Sequence, residues 1–232
     1  MFSLASIALI GPDGAGKTTV TRMLAQSFAP RLKCLYMGIN IASSNVALPT
    51  SRMVEYVKRL LAGNRGAGQA REEFSQGREN RKGKLWASAR LANRFAEEWY
   101  RQLLSWSYQV RGYAVLYDRH FLFDFSLDTD GGRAPLSERT HRWLLTYFYP
   151  RPDLVIYLDA PAEVLYARKH ESTVEDLNCR RKSYIRLGKE TANFVQIDAT
   201  QPLEAVYNEA ANHVARLVDK GYGTPGIPRG AD

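Results

Sequence analysis

Cysteine is scarce: Cys34 and Cys179 are the only two in 232 residues. Two thiols without CxxC spacing cannot build a disulfide framework, which favours a reducing compartment. Long apolar runs are missing as well, and no stretch is long enough to span a bilayer. The apolar start has no basic leader or cleavage site, and the glycine-rich stretch after it begins too early for a removed signal. A cytoplasmic protein with no membrane partner is therefore expected. The four histidines, His120, His141, His170 and His213, lack metal-ligand spacing, so no zinc site is expected. Neither an internal repeat nor a linker dividing two domains is visible.

What remains describes one well-cored globular domain. The chain is 45% hydrophobic and 24% charged, an ordinary soluble balance. Its net charge is +8 and its pI about 9.5, so partners bearing phosphate are electrostatically favoured without being told apart.

Short apolar, β-branched runs alternate with amphipathic stretches, the pattern of a parallel sheet covered by helices. The strands are expected at Ala5–Ile10, Leu32–Met37, Ala114–Tyr117, Leu154–Leu158 and Phe194–Ile197, each apolar enough to be buried on both faces. Helices are expected at Lys17–Phe28, Arg52–Leu61, Leu85–Val110, Ser137–Tyr149, Ala162–Lys169, Val174–Lys189 and Leu203–Lys220. Leu91, Phe95, Trp99 and Leu103 recur at helical spacing and read as core. Gly63–Lys84, rich in glycine and charge, reads as a mobile loop, and the Gly- and Pro-containing tail 221–232 as a frayed end. Residues 1–220 then form a single domain.

The most specific signal is Gly11-Pro12-Asp13-Gly14-Ala15-Gly16-Lys17-Thr18, which fits GxxxxGK[ST] between an expected strand and an expected helix. Glycines 11, 14 and 16 let backbone N–H groups approach phosphate oxygens, and the helix start adds its positive dipole end. Lys17 can reach the β- and γ-phosphates, while the Thr18 hydroxyl completes a Mg²⁺ shell beside Thr19. This cradle serves ATPases, GTPases and small-molecule kinases alike.

The stretch Val115–His120, "VLYDRH", delivers Asp118 and Arg119 at a strand's carboxyl end, where open α/β sheets bind ligands. Asp118 is suited to a metal's water shell or to accepting a proton, and Arg119 to clamping an anion, with a surface salt bridge as the plain alternative. Asp159, at the end of "LVIYLD", competes for the metal-side role.

With these motifs in place, the sequence resembles the thymidylate kinase group of nucleoside-monophosphate kinases. The likeness rests on "GPDGAGKTT", "RGYAVLYDRH", "PDLVIYLDAPAEVLYARK" and "FVQIDATQPLEAV" together, and covers most of the chain. It implies a P-loop NTPase fold with five parallel strands flanked by helices and a short lid. It also implies ATP and Mg²⁺ as the donor pair, phosphoryl transfer to a nucleotide, and a homodimer. Ala199, Thr200 and Gln201 would form the loop beside the adenine, although "DATQP" is equally an ordinary strand-to-helix connection. The lid would lie at about 168–182, with Arg168, Lys169, Arg180, Arg181 and Lys182; Arg168 and Arg180 are the candidates for its catalytic arginine. Gly14 occupies a position where some relatives carry a basic residue, which shifts weight onto the lid.

The acceptor side departs from the family. "FLFDFSLDTDGG", Phe121–Gly132, replaces a Ser/Thr–Gln–Ala–Tyr-like patch, and Glu97 falls where an acceptor-binding arginine is usual, with Arg94 one turn earlier. Arg90, Arg94, Glu97 and Arg101 share a helix face, either as a solvated stripe paired through Glu97 or as an anionic acceptor site. Asn40, Ser43, Ser44, Asn45 and Arg52 are polar-acceptor or loop-capping residues, and Asp13 a sugar-hydroxyl ligand or a turn aspartate. The expected activity is γ-phosphoryl transfer from ATP to a nucleoside monophosphate, dTMP-like or a related small acceptor. The alternatives are a hydroxyl-acceptor kinase, with Asp118 as base, or a regulatory ATPase. Nucleic acid is a poor fit, because the basic stretch lacks interleaved aromatics.

Overall fold

The computed structural model describes residues 5–38, 81–126 and 136–222. Five parallel strands, β1 (Ser6–Ile10), β2 (Leu32–Tyr36), β3 (Ala114–Asp118), β4 (Leu154–Asp159) and β5 (Phe194–Asp198), pair in the order β2-β3-β1-β4-β5. β1 and β4 are buried at every position, whereas the edge strands β2 and β5 keep partly exposed residues. That is the sheet expected from near-continuous apolar runs at the centre. The strands for β3, β4 and β5 each run one residue beyond their apolar run and end on Asp118, Asp159 and Asp198. Because all pairs are parallel, these three carboxylates reach the same edge, with Leu9 of β1 opposite Asp118 and Asp159 opposite Asp198.

The helices are α1 (Lys17–Ser27), α2 (Arg81–Val110), α3 (Phe121–Ser126), α4 (Leu136–Phe148), α5 (Ala162–Arg168), α6 (Val174–Lys189) and α7 (Leu203–Tyr222). α2 opens at Arg81, so the last four residues of the expected loop Gly63–Lys84 are helical. Arginine and lysine are good helix formers, and Gly83 alone does not stop the helix. α3 was not legible, because six residues are too few to show a period. α6 starts where Thr173 caps it by accepting from the Asp176 N–H at 3.2 Å, and Glu175 and Asp176 in its first turn complement the helix dipole. The expected helix Arg52–Leu61 and residues 63–80 lie outside the described residues. No described helix is long and apolar enough to cross a membrane.

Strand alternation divides the core between the two faces of the sheet. On one face Ile7, Leu9, Leu116, Ile156 and Leu158 pack with Val20 and Leu24 of α1 and Val206, Ala210 and Val214 of α7. On the other, Ala8, Ile10, Val115, Tyr117, Val155 and Tyr157 meet Phe121, Leu145, Tyr149 and Tyr184. Trp99 of α2 packs on this second cluster, but Leu103 is 57% exposed, contrary to the core reading of that helical repeat. Tyr100, Leu103, Trp106 and Val110 instead form an exposed apolar line along α2.

Leu158 is fully buried at the centre of the first cluster. Leu158→Ala should lower the free energy of unfolding by about 2–5 kcal/mol, read as an earlier midpoint in chemical denaturation.

Candidate active site

The loop between β1 and α1 is held by close backbone packing. A Cβ at Gly11, whose φ is +153°, would stand 2.7 Å from the Leu158 carbonyl oxygen, and one at Gly14, φ +88°, 2.7 Å from that of Leu165. The loop is thus wedged between β4 and α5, and no side chain fits at position 14, basic or otherwise. Gly16 caps α1 in the left-handed region with open space around it. Thr18 and Thr19 follow, both exposed at the helix start, and Ala15 is buried under the loop.

Lys17 is buried, and its Nζ donates to the carbonyls of Gly11 at 2.7 Å and Pro12 at 2.6 Å. The Asp13 carboxylate lies 3.8 Å from the same ammonium. Arg119 Nη2 donates to Asp13 Oδ1 at 2.9 Å, and Arg180 Nη1 of α6 comes within 3.7 Å of Oδ2. Burial pushes the Asp13 carboxyl upward, but Lys17 and Arg119, with Lys169 beyond them, outweigh it and hold the group below the usual carboxylate range. Arg119 sits at φ +68° and donates its N–H to the Leu9 carbonyl at 3.1 Å, which turns the chain sharply out of β3.

The two strand-end carboxylates that compete from sequence are in opposite conditions. Asp159 accepts from Arg181 Nε at 2.6 Å and Nη2 at 2.8 Å, from the Tyr157 hydroxyl at 2.9 Å and from Gln196 Nε2 at 2.8 Å. Its oxygens are consumed internally, and the bonds from Asp159 in turn raise the Arg181 pKa. Asp118 Oδ1 is buried with no hydrogen-bond partner among the described residues. Burial pushes the Asp118 carboxyl above its ordinary value against the pull of Arg119 and Lys17.

The structure therefore gathers Asp13, Lys17, Arg119 and Arg180, with Asp118 next to Arg119, and leaves other candidates elsewhere. Arg168, at the end of α5, donates through Nη1 to the Ala199 carbonyl at 2.9 Å and so ties the β5–α7 connection to α5. In that connection Ala199 N–H donates to the Asp159 carbonyl at 2.7 Å. Thr200 donates to Asp198 Oδ1 through its N–H at 2.9 Å and its hydroxyl at 2.7 Å, bonds that lower the Asp198 pKa, and Gln201 is exposed.

The Glu97–Arg101 part of the α2 stripe is not solvated. Glu97 accepts from Arg101 Nη2 at 2.8 Å and Nε at 3.1 Å with both side chains buried, and Arg101 also donates to the Gly38 carbonyl at 2.9 Å. Arg94 lies 3.8 Å from Glu98. The Arg90 side chain and residues Asn40, Ser43, Ser44, Asn45 and Arg52 lie outside the described residues. Two features had no sequence signal. Glu98 and His141 pair at 2.8 Å in the interior across 43 positions. His120 is fully buried among the rings of Tyr117, Tyr149 and Phe123, and burial depresses its pKa to about 3.

A five-stranded parallel sheet of this order, with a GxxxxGK[ST] loop at the carboxyl edge of its central strand, is the P-loop kinase fold. No protein-family model matches the chain. Over 211 residues it is 25% identical to probable thymidylate kinase 1 of Saccharolobus solfataricus, covering 88% of this chain and 93% of that one. Over 221 residues it is 25% identical to the thymidylate kinase of Thermosipho africanus, covering 90% and 97%. The deoxyadenosine kinase from M. mycoides, solved with bound dCTP, shares the fold with a TM-score of 0.50 at 15% identity, covering 91% of this chain and 99% of that one. The chain thus has the P-loop kinase fold and is similar in sequence to thymidylate kinases over most of its length.

Ionised Asp118 is disfavoured in the folded protein, so its contribution to stability falls as pH rises from the ordinary carboxylate range through its raised folded-state value. Asp118→Asn should therefore raise the melting temperature at neutral pH. The gain should vanish in acid, where the wild-type carboxyl is protonated in both states; thermal melts across pH check both parts.

Proposed function

We propose that the chain is an ATP- and Mg²⁺-dependent cytoplasmic kinase that moves the γ-phosphoryl group of ATP to a nucleoside monophosphate, dTMP-like or a related small acceptor. One observation carries this reading. Lys17 from the loop, Arg119 from the end of β3 and Arg180 from α6 stand 3.8, 2.9 and 3.7 Å from a single carboxylate at the sheet edge. Three cations converging from three elements on the glycine-rich loop make a site for concentrated negative charge. Phosphoryl transfer is catalysed chiefly by such positioning and charge.

In this reading the backbone N–H groups of Gly11 and of residues 13–19, at the start of α1, hold the donor phosphates, and Lys17 reaches the β- and γ-oxygens. Ala199, Thr200 and Gln201 lie beside the adenine, with Arg168 fixing that connection through the Ala199 carbonyl. Mg²⁺, when bound, neutralises the β- and γ-phosphates. The exposed Thr18 hydroxyl and the buried Asp118 Oδ1, which has no partner among the described residues, fit its shell, whereas Asp159, bonded by Arg181, Tyr157 and Gln196, does not. Arg119 clamps the acceptor phosphate, with Arg94 and Arg90 as further cations on α2. An acceptor oxygen attacks the γ-phosphorus in line while the bridging oxygen leaves with ADP, and Lys17, Arg119 and Arg180 stabilise the migrating charge.

A hydroxyl acceptor is the second reading, favoured by the raised pKa of Asp118, which would suit a general base taking the hydroxyl proton. Incubation with γ-labelled ATP, Mg²⁺ and a panel of nucleotides, nucleosides and sugars separates the two. A labelled diphosphate supports the first and a labelled phosphomonoester the second, and absence of any labelled product defeats the kinase reading. Lys17→Ala or Arg119→Ala should lower turnover by at least about 10²-fold, the scale of losing one transition-state donor, and unchanged turnover in both would overturn these roles. The exposed apolar line Tyr100, Leu103, Trp106 and Val110 on α2 supports a homodimer, for which light scattering should give twice the chain mass.

A further inference from the structure

We infer that Asp13 is a positioning residue that stands in for phosphate: its carboxylate gathers Lys17, Arg119 and Arg180 around the loop and is exchanged for the polyphosphate when nucleotide enters. This rests on the kinase reading above and assigns one of its loop residues a task in the empty protein.

The geometry divides the work between the two carboxylate oxygens. Oδ1 accepts from Arg119 at 2.9 Å and lies 3.8 Å from Lys17, while Oδ2 faces Arg180 at 3.7 Å. The three cations arrive at this carboxylate from the loop, from the residue after β3 and from α6. Without an anion between them they would repel, and Arg180, 45% exposed, would gain more by moving into water. The Asp13 carboxylate offsets only one of the three positive charges it touches, and a more highly charged polyphosphate satisfies them better. The same carboxylate cannot remain in place when phosphate arrives, because the two anions would compete for Arg119 at close range. Entry of nucleotide thus turns Asp13 away from the arginines and frees it to accept a hydroxyl or a water. The empty protein meanwhile holds its cations at the place where they will be needed, which shortens the reorganisation that catalysis requires.

The test needs no acceptor. Inorganic tripolyphosphate, free of divalent metal, is titrated calorimetrically into the wild type, Asp13→Asn and Asp13→Ser, and each unliganded protein is melted. Removing the internal competitor should tighten tripolyphosphate binding by about tenfold. The same change should lower the melting temperature of the unliganded protein, because the cations lose their counter-ion. A residue with only a structural role would lower the melting temperature without tightening binding. Unchanged or weaker binding in both variants beside a binding wild type overturns this inference and leaves the kinase reading intact. A wild type that does not bind tripolyphosphate overturns both.

Discussion

The packing of the β1–α1 loop against two carbonyl oxygens is the constraint on which the rest of the site depends. The Leu158 carbonyl at the end of β4 and the Leu165 carbonyl within α5 come so close to Gly11 and Gly14 that any side chain there would collide with backbone. That contact fixes how far the loop stands from β4, and hence where Lys17 and Asp13 lie relative to the strand ends. It also joins the loop to α5, whose last residue, Arg168, holds the Ala199 carbonyl. Backbone on both sides of β4 is therefore positioned by one short helix rather than by two independent loops.

The sheet explains why the ionisable groups meet. In a parallel arrangement every strand delivers its carboxyl end to one edge, so Asp118, Asp159 and Asp198 come together whatever the sequence between them. Their fates differ because their neighbours differ. Asp159 is bound by Arg181, Tyr157 and Gln196 and acts as a brace between β4, α6 and β5. Asp198 is bound locally by Thr200 and shapes the turn after β5. Asp118, with one buried oxygen that has no partner among the described residues, keeps bonding capacity beside the glycine-rich loop. The cost of leaving it so is the kind of local instability that active sites retain.

Much of this was legible because its signals are local. Continuous apolar runs marked all five strands, and the glycine spacing before Lys17 marked the loop. The one-residue extensions onto Asp118, Asp159 and Asp198 were not visible, since a charged residue ends an apolar run whether or not the backbone ladder stops. Partnerships across the chain were also hidden. Arg119 finds Asp13 from 106 positions away, Arg101 finds the Gly38 carbonyl from 63, and Glu98 finds His141 from 43. Residue types on one helix face suggested that Glu97 and Arg101 pair, and they do, but periodicity does not report burial. The stripe thought to face solvent or acceptor is partly an interior clamp between α2 and the end of β2.

That clamp bears on how Arg119 is held. A left-handed backbone at a non-glycine residue costs of the order of 1–3 kcal/mol and persists only where its surroundings enforce it. Here the Arg119 N–H is held by Leu9, and the next residue, His120, is locked without exposure among Tyr117, Tyr149 and Phe123. On the other side, Gly38 lies so close that an added Cβ would come within 2.8 Å of Arg119 Cδ, and its carbonyl is pinned by buried Arg101. The guanidinium is thus aimed by two buried groups that cannot touch a phosphate themselves, one an aromatic cage and the other an ion pair. The strain at Arg119 is sustained by the second hydrophobic cluster and by α2, which makes that helix a mechanical part of the cluster around the glycine-rich loop.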